Sequence, residues 1–238
     1  MNITIRDLAL MIDHSILHPT FTDNDLIREC EIAVRHQVAS VCVKPYAVKM
    51  AAELLKDSNV KVGCVIGFPH GNSSMEVKVF ETEQAIKDGA TEIDMVINIG
   101  KALGGDWSYV EKEIKTVTAA CHAGGAIVKV IFENDFVTKR EDKIRLCEIC
   151  TRVGADFVKT STGYGFVKQP SGDYNYKGAT LADLELMRMH SGSEVQVKAA
   201  GGVRTLDDLL AVRLAGATRC GATATAIILA DAALRFGQ

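Results

Sequence analysis

The stretch Ala155-Asp-Phe-Val-Lys-Thr-Ser-Thr-Gly163 joins a short apolar strand to a turn rich in small hydroxyl residues, with Lys159 at the junction. The pattern recurs in Glu194-Val-Gln-Val-Lys-Ala-Ala-Gly-Gly202, where Lys198 ends another apolar strand. A lysine that ends a buried strand costs desolvation free energy unless it is paired or takes part in chemistry. The two stretches therefore predict consecutive strand units that carry a pair of lysines into one cavity.

Strand and helix patterns alternate along the rest of the chain. Apolar strands are predicted at 11–17, 38–43, 60–66, 92–97, 126–132, 155–159, 194–198 and 217–221. A Ser/Thr-x-x-acid capping box opens the helix after five of them, at Thr22, Ser73, Thr138, Thr180 and Thr205. Eight strand–helix units predict a parallel sheet with helical crossovers.

The number of units decides between two parallel-sheet folds. Eight units with no ninth, and no Gly-x-Gly-x-x-Gly after the first strand, favour an α/β fold with one closed (β/α)8 TIM barrel. An open doubly wound sheet is the runner-up. The chain shows no linker and no shift in composition, so residues 1–238 are predicted to form a single barrel domain. Residues 1–10 are expected to form a short capping helix.

Composition excludes several classes of partner. The 238 residues are 47% hydrophobic and carry a net charge of −3, with no basic block that would attract nucleic acid or an anionic membrane. No apolar run is long enough to span a bilayer. Seven cysteines without paired spacing indicate reduced thiols, so we expect a cytoplasmic protein that acts on a small molecule.

In a barrel of this kind, catalytic residues lie at the carboxyl ends of the strands. Side-chain alternation points Lys159 and Lys198 inward, on adjacent strands six and seven. Burial and like charge both lower a lysine pKa, so one amine can be a neutral nucleophile that forms a Schiff base with a carbonyl compound. Asp94, Asp13 and Lys129 also interrupt apolar strands. Each of these three is either part of the site or a member of a buried ion pair within the barrel.

The later loops supply a candidate phosphate site. Glycine-rich turns and a helix amino terminus after strands seven and eight are the usual phosphate site of such barrels. The predicted phosphate-binding residues are Gly163, Gly201, Gly202, Gly221 and Thr223. We therefore expect a small phosphorylated carbonyl substrate. The histidines near strand ends do not form a plausible set of three zinc ligands, so neither a metal nor another cofactor is expected.

Motifs along almost the whole chain resemble those of the deoxyribose-phosphate aldolases, class I Schiff-base aldolases on (β/α)8 barrels. The most specific are Lys159-Thr-Ser-Thr-Gly163, Lys198-Ala-Ala-Gly-Gly202 and Glu92-Ile-Asp-Met-Val-Ile-Asn98. The resemblance implies reversible cleavage of 2-deoxy-D-ribose 5-phosphate to acetaldehyde and D-glyceraldehyde 3-phosphate. Lys159 would form the Schiff base, Lys198 would lower its pKa, and Asp94 with an ordered water would move protons. The matching positions of the supporting network are Asp13, Ser15, Cys42 and Lys129.

Two departures from the family pattern leave the preferred substrate open. Family members usually have two serines where this chain has Thr223-Ala224, and the 164–178 loop is longer than usual. That loop is interpreted either as a mobile surface loop or as a lid or contact within a homodimer or homotetramer. Two alternatives stand beside the main hypothesis: a Schiff-base aldolase with a different or non-phosphorylated acceptor, and a barrel that binds sugar phosphate without turnover.

Overall fold

The computed structural model describes residues 3–237, in which eight parallel strands close into a barrel. Each strand pairs with the next along the chain, and the last pairs with the first. The strands are β1 (Ile12–Ile16), β2 (Ser40–Val43), β3 (Lys61–Ile66), β4 (Glu92–Val96), β5 (Ile127–Ile131), β6 (Phe157–Lys159), β7 (Gln196–Ala200) and β8 (Arg219–Ala222). The predicted (β/α)8 barrel is confirmed, and the open-sheet alternative is wrong.

Helices cover the outside of the barrel. They are α1 (Ile5–Ala9), α2 (Asp23–His36), α3 (Val48–Leu55), α4 (Met75–Lys87), α5 (Ile99–Leu103), α6 (Trp107–Ala123), α7 (Arg140–Val153), α8 (Leu181–His190), α9 (Leu206–Leu214) and α10 (Thr225–Phe236). The predicted capping helix is α1, although residues 1 and 2 of that prediction lie outside the described residues. None of the helices in the described part of the chain is long and apolar enough to cross a membrane.

Three of the five predicted capping residues are confirmed. Thr22 and Thr205 form full capping boxes, and the Thr180 hydroxyl accepts a hydrogen bond from the backbone of Asp183. Two predictions are wrong. Ser74, not Ser73, caps α4, and α7 follows Lys139 without a side-chain cap, so Thr138 plays no such part.

Strand register brings the predicted lysines to one level of the barrel. Lys159 is paired with Lys198 between β6 and β7, and Asp94 is paired with Lys129 between β4 and β5. Val158 and Val197 alternate with the lysines and are fully buried in the hydrophobic core beneath the helices. The predicted alternation is therefore confirmed, and these four charged side chains enter the barrel interior.

A buried ion pair fixes the loops around β3 and β4. Lys78 on α4 and Glu113 on α6 are fully buried, with Lys78 Nζ 2.8 Å from Glu113 Oε1. The same amine donates to the carbonyl oxygens of Gly71 (2.8 Å) and Val96 (2.7 Å). Glu113 also accepts from the backbone N–H of Asn98, 2.8 Å away. The pair thus connects two helices to the end of the strand that carries Asp94.

Replacing Lys78 with methionine is expected to lower the free energy of unfolding by about 3–5 kcal/mol, because it leaves a buried carboxylate and two carbonyl groups without their cation. Urea denaturation measures this loss. The control is Lys101→Met, which breaks the exposed pair with Asp106 and should cost much less. Equal losses in the two variants would contradict a stabilising role for the buried pair.

Candidate active site

Two buried amines meet on one carboxylate oxygen at the carboxyl end of the barrel. Lys159 ends β6, and its Nζ lies 2.7 Å from Asp94 Oδ2. Lys198 on the neighbouring strand β7 places its Nζ 2.7 Å from the same oxygen. All three side chains are almost completely buried. The two strand-end lysines therefore occupy one cavity, as the sequence predicts.

The other oxygen of Asp94 holds a third amine. Lys129 on β5 donates from 2.8 Å to Asp94 Oδ1. Burial alone would raise the pKa of Asp94, but the three lysine charges hold that pKa well below its ordinary value. Asp94 is therefore a carboxylate that accepts hydrogen bonds from three amines at once.

The two strand-end lysines differ in the number of carboxylates that they contact. Lys159 contacts Asp94 alone, and burial lowers its pKa, assisted by the charge of Lys198 and opposed by Asp94. Lys198 also lies 2.5 Å from Asp13 Oδ2, in an ionic contact without the alignment of a hydrogen bond. Burial acts to lower the pKa of Lys198, but Asp13 and Asp94 together hold it above the ordinary value. Lys159 is thus the amine that loses its proton more readily.

Further charges fill the barrel beneath this pair. Arg219 on β8 donates to Asp13, and it lies 3.1 Å and 3.2 Å from the two carboxylate oxygens of Glu92. Lys129 Nζ lies 2.6 Å from Glu92, and the hydroxyl of Ser40 donates to Asp13 over 2.7 Å. The two interpretations of Asp13 and Lys129 are therefore compatible, because both are buried in ion pairs and both contact groups of the site.

Sequence reasoning missed Glu92 and Arg219 as members of this network. A signal for each was present in the strand phase. Glu92 stands two residues before Asp94 on β4, and Arg219 stands two residues before Gly221 on β8. Side chains two residues apart on a strand share a face, so both could have been assigned to the barrel interior.

A pocket of about 180 Å³ opens above the two lysines. Lys159, Lys198, Ser15 and Cys42 line it, whereas Asp94 lies beneath its floor. The pocket is also lined by all of the predicted phosphate-binding residues, namely Gly163, Gly201, Gly202, Gly221 and Thr223. Lys159 and the candidate phosphate site thus face the same small cavity.

Comparison with known proteins shows the family to which the chain belongs. A family model described as "DeoC/LacD family aldolase" matches residues 8–231. The chain belongs to this aldolase family. A deoxyribose-phosphate aldolase of Rhodopirellula baltica is 52% identical over 233 residues, which cover 98% of this chain and 92% of the relative.

Solved structures resemble this aldolase closely. A putative deoxyribose-phosphate aldolase from Coccidioides immitis has a TM-score of 0.88 and 35% identity, over 97% of this chain and 87% of that chain. A deoxyribose phosphate aldolase from Aeropyrum pernix, described as having a unique tetrameric structure, has a TM-score of 0.85 and 28% identity, over 98% and 92% of the two chains. Family and fold therefore agree, and the chain is a lyase of the aldolase type.

The thiol of Cys42 in the aldolase pocket stays uncharged. Its sulfur lies 4.0 Å from Asp94 Oδ2. Burial, together with the charge of Asp94, raises the pKa of this thiol to about 11. Cys42 therefore fills space beside the two amines without adding a charge to the pocket.

The 164–178 loop of the aldolase folds over one side of the pocket. It contains a two-stranded antiparallel hairpin of Val167–Lys168 with Tyr174–Asn175. Tyr164 and Tyr176 line the pocket, and the Tyr164 ring packs edge-on against Phe68 with ring centres 5.6 Å apart. This placement brings two aromatic rings of the loop next to the site.

The far end of this loop is hydrogen-bonded to the loop after β5 and packs against the loop after β7. Asp135 accepts hydrogen bonds from the backbone N–H groups of Lys177 (2.6 Å) and Gly178 (3.0 Å). Gly178 lies so close to Gly201 that a Cβ at position 178 would stand 2.5 Å from the Gly201 oxygen. Only glycine allows this approach, which joins the loop to the phosphate side of the pocket.

Glu133, just after β5, is a second acidic group that sequence reasoning missed. Its buried carboxyl accepts hydrogen bonds from the backbone N–H and the hydroxyl of Thr162, in the turn that follows Lys159. Burial raises its pKa to about 7. Glu133 therefore supports the turn that carries Gly163.

Within residues 3–237, no three His, Cys, Asp or Glu side chains stand close enough together to hold a metal ion.

Proposed function

We propose that this aldolase reversibly cleaves 2-deoxy-D-ribose 5-phosphate to acetaldehyde and D-glyceraldehyde 3-phosphate through a Schiff base on Lys159. One observation carries the proposal. Lys159 is a buried amine that faces the pocket, contacts a single carboxylate and has a lowered pKa. A neutral amine of this kind is the nucleophile that a carbonyl substrate requires.

The cleavage follows from that nucleophile. The Lys159 amine adds to C1 of the open-chain sugar, and loss of water gives a protonated imine. A base then removes the proton of the C3 hydroxyl, the C2–C3 bond breaks, and its electron pair moves toward the iminium nitrogen. D-glyceraldehyde 3-phosphate leaves, and an enamine remains on Lys159. Protonation of the enamine at C2 and addition of water release acetaldehyde and restore the amine.

Groups beside Lys159 are assigned to the proton transfers of the reaction. Asp94 contacts both amines but does not line the pocket, so we assign it to proton movement through Lys198 or an ordered water. Lys198 faces the pocket and adds a positive charge beside the reacting nitrogen. The supporting residues hold these groups in place: Asp13 pairs with Lys198, Lys129 pairs with Asp94, and Ser15 and Cys42 fill the adjoining wall.

The substrate phosphate is assigned to the glycine-rich part of the same pocket. Gly163, Gly201, Gly202, Gly221 and Thr223 would bind it through backbone amides and one hydroxyl, near the amino terminus of α10. Arg204 also lines this pocket and adds a positive charge. Ala224 at the cap of α10 has no hydroxyl to donate. We retain an aldehyde acceptor without phosphate as the alternative for this reason.

Trapping with borohydride tests the proposal. The protein is incubated with acetaldehyde and borohydride, and mass spectrometry locates the reduced adduct. We expect an ethyl group on Lys159 together with cleavage of deoxyribose 5-phosphate. An adduct with poor cleavage of the phosphate and better cleavage of deoxyribose would favour the other acceptor. No adduct at all would leave only sugar-phosphate binding without turnover.

The remaining assignments concern the whole molecule. We propose a single catalytic domain over residues 1–238 that works in the cytoplasm without a metal or another cofactor. A homo-oligomer, either a dimer or a tetramer, is proposed because a structural relative from Aeropyrum pernix is described as tetrameric. Size-exclusion chromatography with light scattering would measure the oligomeric state.

A further inference from the structure

Six buried charges form a closed ring inside the barrel, here called the charge ring. It runs through Asp13, Lys198, Asp94, Lys129, Glu92 and Arg219, and back to Asp13. The contacts measure 2.5 Å, 2.7 Å, 2.8 Å, 2.6 Å and 3.1 Å in that order, and Arg219 closes the ring by donating to Asp13. Signs alternate around the ring. Two further contacts add to it: Lys129 also lies 3.5 Å from Asp13 across the ring, and Asp94 also contacts Lys159.

The charge ring is electrically neutral by itself. Three carboxylates face two lysines and one arginine, and Lys159 is attached to the ring through Asp94 alone. Protonated Lys159 therefore adds a positive charge to a ring whose three carboxylates are already matched by three cations. Uncompensated charge is costly in the low-dielectric interior, so the proton on Lys159 is the most readily lost.

Side chains from other strands also face the ring, and their charges belong in the same sum. Within residues 3–237, the other interior side chains that face the ring include Ser40 and Cys42 on β2 and Phe157 on β6, all of them uncharged, and β3 contributes the bare Gly63. Glu133 lies outside the ring and accepts hydrogen bonds from Thr162. Among the described residues, the carboxylate in contact with Lys159 is Asp94, a member of the ring, whereas Glu133 interacts with Lys159 only electrostatically.

We propose that Arg219 and Glu92, at the end of the barrel away from the pocket, are positioning residues for the reaction. They complete the charge ring and so leave Lys159 as the surplus amine. Neither residue lines the pocket, and both act on the nucleophile only through the contacts of the ring. This inference rests on the proposed Schiff-base function of Lys159.

Removing the charge at either position should shift the pKa of Lys159, and the two shifts should have opposite directions. Arg219→Met removes a positive charge, which makes the interior more negative and favours protonated Lys159. Glu92→Gln removes a negative charge and favours the neutral amine. Removing one buried charge of the ring should change the pKa of Lys159 by roughly one unit. The double variant is neutral again and should behave like the wild type.

The test measures the rate of adduct formation on Lys159 against pH, with acetaldehyde and cyanoborohydride. We expect the midpoint of Arg219→Met to move about one unit toward alkaline pH, and that of Glu92→Gln about one unit toward acid pH. The charge-preserving Arg219→Lys should restore the midpoint. The matched control is Arg152→Met, which removes an exposed arginine paired with Glu111 and should leave the midpoint unchanged.

The outcomes separate the two proposals. No adduct in the wild type at any pH would overturn the Schiff-base function itself. An adduct in the wild type with equal midpoints in all variants, or with both shifts in one direction, would overturn the role of the charge ring alone. If Arg219→Met shows no cooperative thermal unfolding, the isosteric Glu92→Gln decides: an acid shift supports the ring, and an unmoved midpoint refutes it.

Discussion

Replacing Lys159 with alanine is expected to reduce turnover of deoxyribose 5-phosphate by a factor on the order of 10⁴ or more, because the substitution removes the proposed nucleophile. Neither of the two neighbouring buried amines is expected to take its place. Lys198 bridges Asp13 and Asp94, and Lys129 bridges Glu92 and Asp94, so both stay protonated. The loss should appear in kcat, measured by a coupled assay for the released aldehyde phosphate, and the borohydride adduct should disappear.

The fold of this variant should be preserved. Asp94 keeps Lys129 and Lys198 as partners when Lys159 is removed, so no buried carboxylate is left alone. The matched control is Lys115→Ala, which removes an exposed lysine on α6 and should leave both turnover and the adduct intact. Turnover of Lys159→Ala within tenfold of the wild type, with native thermal unfolding, would show that the reaction does not pass through this amine.

Replacing Lys198 with leucine should have the second largest effect, a loss on the order of 10³-fold near pH 7. Lys198 is the like charge beside Lys159, and both hydrogen-bond to the same oxygen of Asp94. Without it, Asp94 favours the protonated form of Lys159 more strongly, so the pKa of Lys159 rises and less neutral amine remains at pH 7.

The pH profile distinguishes this variant from Lys159→Ala. Since the nucleophile is still present in Lys198→Leu, adduct formation on Lys159 should recover at alkaline pH, whereas Lys159→Ala should form no adduct there at any pH. The measurement is kcat/KM together with adduct rate across the pH range. A near-native rate at pH 7 would contradict the argument that one lysine controls the other.

The barrel could be predicted because its pattern is repeated eight times along the chain. Strand phase placed Lys159 and Lys198 in the interior, since alternation depends only on neighbouring residues. Asp94 stood out as an acid within an apolar run. Exact helix starts were less predictable. Ser73 and Ser74 can both supply a capping hydroxyl, and the path of the preceding loop decides which of them does.

The charge ring could be predicted only in part. Asp13, Lys129, Lys198 and Asp94 stand out because each interrupts an apolar run. Arg219 and Glu92 lie near the starts of their strands, where a charged residue is ordinarily solvated. Their contact depends on the closure of β8 against β1 and on interactions across the barrel, which no local pattern contains. The helix α5 and the hairpin in the 164–178 loop were missed because both are short.

Attachment of the 164–178 loop to Asp135 and Gly201, rather than to the barrel strands, makes substrate choice and amine activation separable in protein engineering. The loop shapes the pocket through Tyr164 and Tyr176, while the strands carry the charges. Libraries of loop sequences that retain Gly178 can therefore be screened for new aldehyde acceptors on one unchanged catalytic scaffold.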